Sequence, residues 1–226
     1  MPLKSLFLSF LFLLFFGQSF GQEIQTNAWN ALFTDYSLSE NETIRLETHY
    51  RTKDFYSLED QYLIRPSYTR KINKNVSLSF GVTHLSTQKD NGAVKENNLW
   101  QQFGFSFPIK KFKYFGWIRL EERWQKKPLV ATTDYGARVR FRTGFEYPLG
   151  GKDNTSSTSL LSFNEVFMFA KNGLPVSFNQ NWTFIGFQKK ISNSLRLITG
   201  YQRNTIQSGT GFVEKNIWST LVFLKL

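Results

Sequence analysis

Gly136-Ala137-Arg138-Val139-Arg140-Phe141-Arg142-Thr143-Gly144-Phe145-Glu146 decides how this chain is read. Ala137, Val139, Phe141 and Phe145 hold one parity, and Arg138, Arg140, Arg142 and Glu146 hold the other. Successive side chains of a β-strand point to opposite faces, so this alternation describes a strand with one apolar and one charged side. Thr43 to Arg51 repeats the pattern, with Ile44, Leu46, Thr48 and Tyr50 against Arg45, Glu47, His49 and Arg51. Beyond residue 22 no stretch keeps a 3.6-residue apolar period for three turns, so helices are not expected.

Working outward, strand patterns fall near 27–38, 42–53, 60–70, 76–86, 97–107, 112–124, 134–147, 159–170, 177–190, 194–204 and 214–226. Most exceed the roughly five or six residues usual in soluble sheets and match the roughly 9–11 tilted residues that cross a bilayer. The connections at 71–75, 109–111 and 191–193 are short, whereas 87–96, 125–133 and 205–213 are long and polar. Short periplasmic turns and longer extracellular loops are the rhythm of outer-membrane barrels, which places the second set outside and the carboxyl terminus in the periplasm. The 148–158 connection is longer than a periplasmic turn should be. Bacterial barrels have even strand numbers, so the eleven patterns imply a twelfth strand hidden in 22–38, with ten strands the alternative. The expected fold is all-β: a single antiparallel up-and-down transmembrane β-barrel.

The first 21 residues read as a cleavable signal peptide, with Lys4, an apolar run from Leu6 to Phe16, and the small residues Ser19 and Gly21 before a cut at Gln22. Residues 22–226 then form the barrel domain. Lys4 is the one charged residue removed, so the net charge of +11 becomes +10. Nucleic acid is not the expected partner, because the arginines alternate within strands instead of sharing one exposed face. The absence of cysteine excludes disulfide scaffolds, thiolate metal sites and cysteine nucleophiles.

Alternation alone does not distinguish a soluble barrel, which buries its apolar face, from a membrane barrel, which presents it to lipid. Strand number and length favour the membrane. So do aromatic residues toward strand ends, Trp29, Tyr50, Tyr62, Tyr68, Trp100, Trp117, Trp124, Tyr147 and Trp218, where interfacial girdles belong. The final strand puts Trp218, Thr220, Val222, Leu224 and Leu226 on one face, a terminus suited to barrel-assembly machinery. Outer-membrane lipid and lipopolysaccharide are the expected surroundings. Glu165 fits badly: it shares parity with Leu161, Phe163, Phe167 and Phe169, so the reading needs a bulge to turn it away from lipid.

Trp29, Arg45-Leu46-Glu47, Asn164-Glu165-Val166-Phe167, Phe178-Asn179-Gln180-Asn181 and Gly200-Tyr201 resemble an uncharacterised outer-membrane β-barrel family of Gram-negative bacteria, domain of unknown function 2490. The resemblance covers nearly the whole mature chain and implies location and fold, without an activity.

Opposite the apolar face lie Arg45, Arg51, Arg65, Arg119, Arg123, Arg138, Arg140, Arg142 and Arg196, against Glu47, Glu121 and Glu146. Two readings of this ladder stay open. Arginine is always charged and offers a planar fork of donors, so the face could pass or hold small anionic solutes. Alternatively, Arg and Glu fill a narrow lumen as an ionic network and the barrel is closed and structural. Arg119, Glu121 and Arg123, with Arg45 and Glu47, are the expected members of one such network if their strands face each other across the lumen. A reading from another class comes from His84-Leu85-Ser86, which is similar to the His-x-Ser element of outer-membrane lipid A deacylases. It would make His84 the base, Ser86 the nucleophile and Glu96 the orienting acid. His49 and His84 lack metal-ligand spacing, and neither a metal nor another cofactor is expected.

Overall fold

The structure, a computed structural model, describes residues 23–150, 157–171, 175–209 and 211–226. The expected signal peptide at 1–21 and most of the 148–158 connection lie outside the described residues. Among the described residues eleven strands follow one another: β1 Glu23–Ser37, β2 Glu42–Lys53, β3 Leu58–Lys71, β4 Val76–Thr87, β5 Val94–Ile109 and β6 Phe112–Lys126. They continue as β7 Thr133–Pro148, β8 Thr158–Lys171, β9 Ser177–Lys190, β10 Leu195–Ser208 and β11 Gly211–Lys225. Sequence neighbours pair antiparallel, and the sheet closes where β1 meets β11.

That closure corrects the expected count of twelve. Residues 23–37 form one 15-residue strand, not two. With an odd number of hairpin-linked strands, the first and last run the same way, so β1 pairs parallel to β11, from Glu23 opposite Val213 to Asp35 opposite Lys225. Parallel pairing is slightly weaker per residue, but it leaves no strand edge unpaired. The all-antiparallel description therefore holds for every junction except this one.

The 205–213 segment is also corrected. Its polar residues read as a long loop, yet β10 runs to Ser208 and β11 resumes at Gly211, which pairs with Ser208. Polar side chains on the outer end of a strand leave its backbone ladder intact. This hairpin shares a rim with the start of β1 and the 88–93 and 127–132 connections, and Leu226 lies at the opposite rim.

The two faces are inverted relative to a soluble barrel. On β4 the outward Leu78, Phe80 and Val82 are exposed, while the inward Ser79 and Thr83 are buried. Charged residues such as Glu47, Arg119, Glu121, Arg140 and Glu165 are buried inside, and Leu46, Leu99, Phe103, Phe141, Ile185 and Phe187 are exposed outside. Apolar burial is thus local. Leu161, Phe163, Phe184 and Ile198 form one interior cluster, joined by Phe115, Leu221 and Phe223. Gly186 and Gly200 sit opposite each other beneath it. A Cβ on Gly200 would lie 2.4 Å from the Gly186 Cα and 2.9 Å from the Phe184 ring. The bare backbone lets Phe184 lie flat and stack on Phe163, centroids 5.0 Å apart.

Strand β8 overturns the expectation for Glu165. Leu161, Phe163, Glu165 and Phe167 all face inward and are buried, so the carboxylate needs no bulge. The irregularity between β8 and β9 comes later, between Phe167 and Met168. The apolar parity of β8 is its inner one because its lumen side packs aromatic rings instead of an unbroken charge ladder.

Candidate functional site

Three strands supply most of the interior charge, each by the two-residue period. β2 projects Arg45, Glu47, His49 and Arg51; β6 projects Arg119, Glu121 and Arg123; β7 projects Arg138, Arg140, Arg142 and Glu146. Arg65 from β3 and Arg196 from β10 complete the ladder. All nine arginines, with Glu47 and Glu146, border one lumen cavity of about 530 Å³, and Glu121 is buried behind Arg138 and Arg140.

The best-connected group runs Arg138–Glu121–Arg140–Glu165–Arg142. Glu121 accepts from Arg138 Nε at 2.6 Å and from Arg140 Nη1 at 2.7 Å. Glu165 accepts from Arg140 Nε at 2.6 Å and from Arg142 Nε at 2.8 Å, with the Nη2 atoms of both arginines 2.5 Å away. Two fully buried carboxylates are therefore held by three guanidiniums. Such an arrangement adds little net stability over a well-packed apolar alternative, but removing one member costs about 3 to 5 kcal/mol.

Elsewhere the pairs are separate. Glu47 accepts from Arg65 at 3.0 Å, with His49 Nε2 at 3.5 Å. Glu96 takes a two-pronged bond from Arg123 at 2.8 and 2.6 Å, and Asp35 takes one from Arg45 at 2.6 and 2.7 Å. The closest pairs join adjacent strands: Glu121 lies opposite Arg138, and Asp35 opposite Arg45. Side chains directly opposite each other are roughly 5 Å apart, whereas i and i+2 on one strand are nearly 7 Å apart. Arg119 accordingly keeps only a 3.9 Å contact with Glu121 and spends two donors on Gln102 Oε1.

Asp35, Glu96 and Glu165 were not read as lumen carboxylates, and the aromatic lining was missed. Trp29, Trp100 and Trp117, expected at an interfacial girdle, point inward, whereas Tyr50, Tyr62, Trp124 and Trp218 are on the outside. Arg51 lies over the Trp29 ring at 3.9 Å, Arg119 over Trp100 at 4.1 Å, Arg142 over Phe163 at 3.9 Å and Arg196 over Phe223 at 4.2 Å. Parity held the missing signal, since Trp117 is in phase with Arg119, and Trp29 with Asp35.

Charge in the lumen does not balance. The nine arginines face Asp35, Glu47, Asp60, Glu96, Glu121, Glu146 and Glu165; Asp60 is engaged by Lys215 at 3.2 Å and Lys53 at 3.9 Å, and Glu146 by Gln188 at 2.6 Å and Lys113 at 3.6 Å. Among the described residues, Arg51 and Arg196 form no ion pair with a carboxylate; each stacks on an aromatic ring instead. Chemically, the wall offers surplus positive charge and N–H donors in a cavity of modest volume.

His84 and Ser86 share the outward face of β4, where His84 Nδ1 is 2.9 Å from Asn97 Oδ1. Glu96 is not brought to them: it lies opposite Leu85 on the inward face of β5, buried against Arg123. Among the described residues no group of three His, Cys, Asp or Glu side chains could hold a metal ion.

Compared with known proteins, residues 26–215 match the model of a family described as protein of unknown function (DUF2490). No curated protein and no solved structure matches the chain.

Proposed function

The chain belongs to that family of unknown function, and on this premise we propose that it is an outer-membrane β-barrel whose narrow, arginine-lined lumen passes small anions in preference to cations. The observation that carries the proposal is the cavity. Its lining runs from Thr87, Gln125 and Lys215 near one rim to Lys113, Glu146 and Arg196 near the other, with more fixed positive than negative charge along the way. A wall of fixed guanidiniums lowers the energy of an anion and raises that of a cation in a confined space.

The membrane part of the proposal is supported by the inverted faces. An exterior of Leu, Ile, Phe and Val side chains, with Tyr50, Tyr62, Trp124 and Tyr135 toward strand ends, suits hydrocarbon flanked by two interfaces. A water-soluble barrel would be disfavoured by so much exposed apolar surface. The leader-like first 21 residues suit export, and the apolar final strand suits insertion by barrel-assembly machinery. A closed structural barrel is the second reading, favoured by the saturation of Glu121 and Glu165 by three arginines.

Fractionation and electrophysiology test this. Heat-modifiable migration in the outer-membrane fraction is expected, and a soluble periplasmic protein would overturn the location. In planar bilayers under a KCl gradient, the reversal potential should carry the sign of chloride selectivity. Absence of conductance at every salt concentration assigns the closed barrel instead.

A further inference from the structure

We propose that the lumen contains a binding site for a tetrahedral oxyanion of the phosphate or sulfate type, built around Arg51, Arg65, Arg119 and Trp29. The proposal rests on the reading of the lumen as open to anions and gives that site a ligand class. Arg51 is the centre of the argument. The residue is 9% exposed, its guanidinium stacks on Trp29 at 3.9 Å, and it donates from Nη1 to Gln61 Oε1 at 2.7 Å. Its Nε is buried without an acceptor, and so is Nε1 of Trp29, the residue directly opposite it on β1. A buried N–H without a partner costs about 1 to 3 kcal/mol, and more when it is charged. Two such donors side by side on a cavity wall ask for one acceptor with lone pairs pointing in several directions.

The surrounding charge points the same way. Arg51 experiences the positive fields of Arg65, Arg140 and Arg138 against the negative field of Asp60, and Arg119 those of Arg65 and Arg140 against Glu121 and Glu47. Together with Arg142, six arginines share Glu47, Glu121, Glu165 and Asp60 in this part of the lumen, and Asp60 is also engaged by Lys53 and Lys215, so positive charge stays in surplus. Arg65 uses Nε on Thr83 at 2.8 Å and Nη1 on Glu47, which leaves its second Nη without a hydrogen bond among the described residues. A neutral sugar would satisfy donors but not charge. Chloride would offset charge but lacks directed acceptors. A dianionic oxyanion does both, with two oxygens on Arg51 and the remainder reaching Arg65 and Trp29.

The test is equilibrium binding to the refolded full-length barrel in a phosphate-free non-ionic detergent. Potassium phosphate titrated at constant ionic strength against KCl should give a saturable change in tryptophan fluorescence and a saturable calorimetric signal, with chloride giving neither. Glycerol phosphate in a parallel titration separates sources: binding assigns the phosphoryl group generally, and failure alongside phosphate binding assigns the free oxyanion. Arg51→Gln should weaken phosphate at least tenfold, and Trp29→Phe, followed by calorimetry, several-fold, both retaining heat-modifiable migration as evidence of folding. A response that does not saturate, that chloride reproduces, or that Arg51→Gln leaves unchanged overturns the site. Saturable binding in a barrel that does not conduct would overturn the passage while leaving the site standing. Conductance without saturable binding does the reverse.

Discussion

Replacing Glu165 with leucine separates two incompatible pictures by the sign of the effect. In the structure Glu165 is fully buried and takes four contacts of 2.5 to 2.8 Å from Arg140 and Arg142. Arg140 would keep Glu121, but Arg142 would lose its only carboxylate partner among the described residues. Breaking a buried pair by removing one partner costs about 3 to 5 kcal/mol. The Arg142 side chain retains 23% exposure toward the cavity, which lets water reach it and sets the expectation near the lower limit, about 3 kcal/mol. With a urea slope of roughly 3 kcal/mol/M for a chain of this size, the unfolding midpoint should fall by about 1 M. If Glu165 faced lipid, the same change would stabilise the barrel by up to about 2 kcal/mol, the scale of a carboxylate's cost near the midplane. The assay is equilibrium urea unfolding in lipid vesicles, followed by tryptophan fluorescence and heat-modifiable migration. Adding Arg142→Met should recover at least about 1 kcal/mol, because the cluster then returns to the net charge of the parent and the arginine that lost its partner is gone. A Glu165→Leu barrel as stable as the parent, or more so, would refute the ion-pair assignment.

Three further outcomes are expected. The parallel seam can be trapped, because Leu32 pairs with Val222 and the chain has no native cysteine. Neighbouring strands lie roughly 4.8 Å apart, within disulfide reach, so Leu32→Cys with Val222→Cys should oxidise and migrate faster on a non-reducing denaturing gel; a twelve-strand closure would leave it unlinked. Gly200→Val should destabilise by about 1 to 3 kcal/mol, because its Cβ would meet the Ile185 carbonyl oxygen at 2.4 Å; thermal unfolding unchanged from the parent would contradict the packing. Neutralising Arg196 and Arg51 together as glutamine should lower the ratio of chloride to potassium permeability, read from the reversal potential, while an unchanged ratio would show that the surplus arginines do not set selectivity.

Strand positions were legible because each strand carries its own two-residue signal. Arg138, Arg140 and Arg142 announce an inward face without reference to any other strand, and the eleven patterns correspond one to one with the eleven strands. The site was only partly legible. The charged residues of β2, β6 and β7 declared themselves, but Glu165 and Trp117 could be oriented only by knowing what stood across the lumen and on the neighbouring strand. On β8 both faces are compatible with apolar residues, so alternation gave the wrong side until Arg140 and Arg142 came to lie next to it.

What the sequence determined by itself was local: where strands start and stop, that the chain is all-β, and that one face of most strands is cationic. These follow from backbone geometry and side-chain period, which act over a few residues. The tertiary structure alone decided how the sheet closes, since hairpins fix only neighbouring pairs and the β1–β11 junction joins residues nearly two hundred positions apart. It also decided which carboxylate answers which arginine. Glu121 turned from its strand neighbours to Arg138 and Arg140 because the distance across a ladder is shorter than the distance along a strand. That same register left Arg51 stacked on Trp29 with no carboxylate in ion-pair contact among the described residues and its Nε without an acceptor.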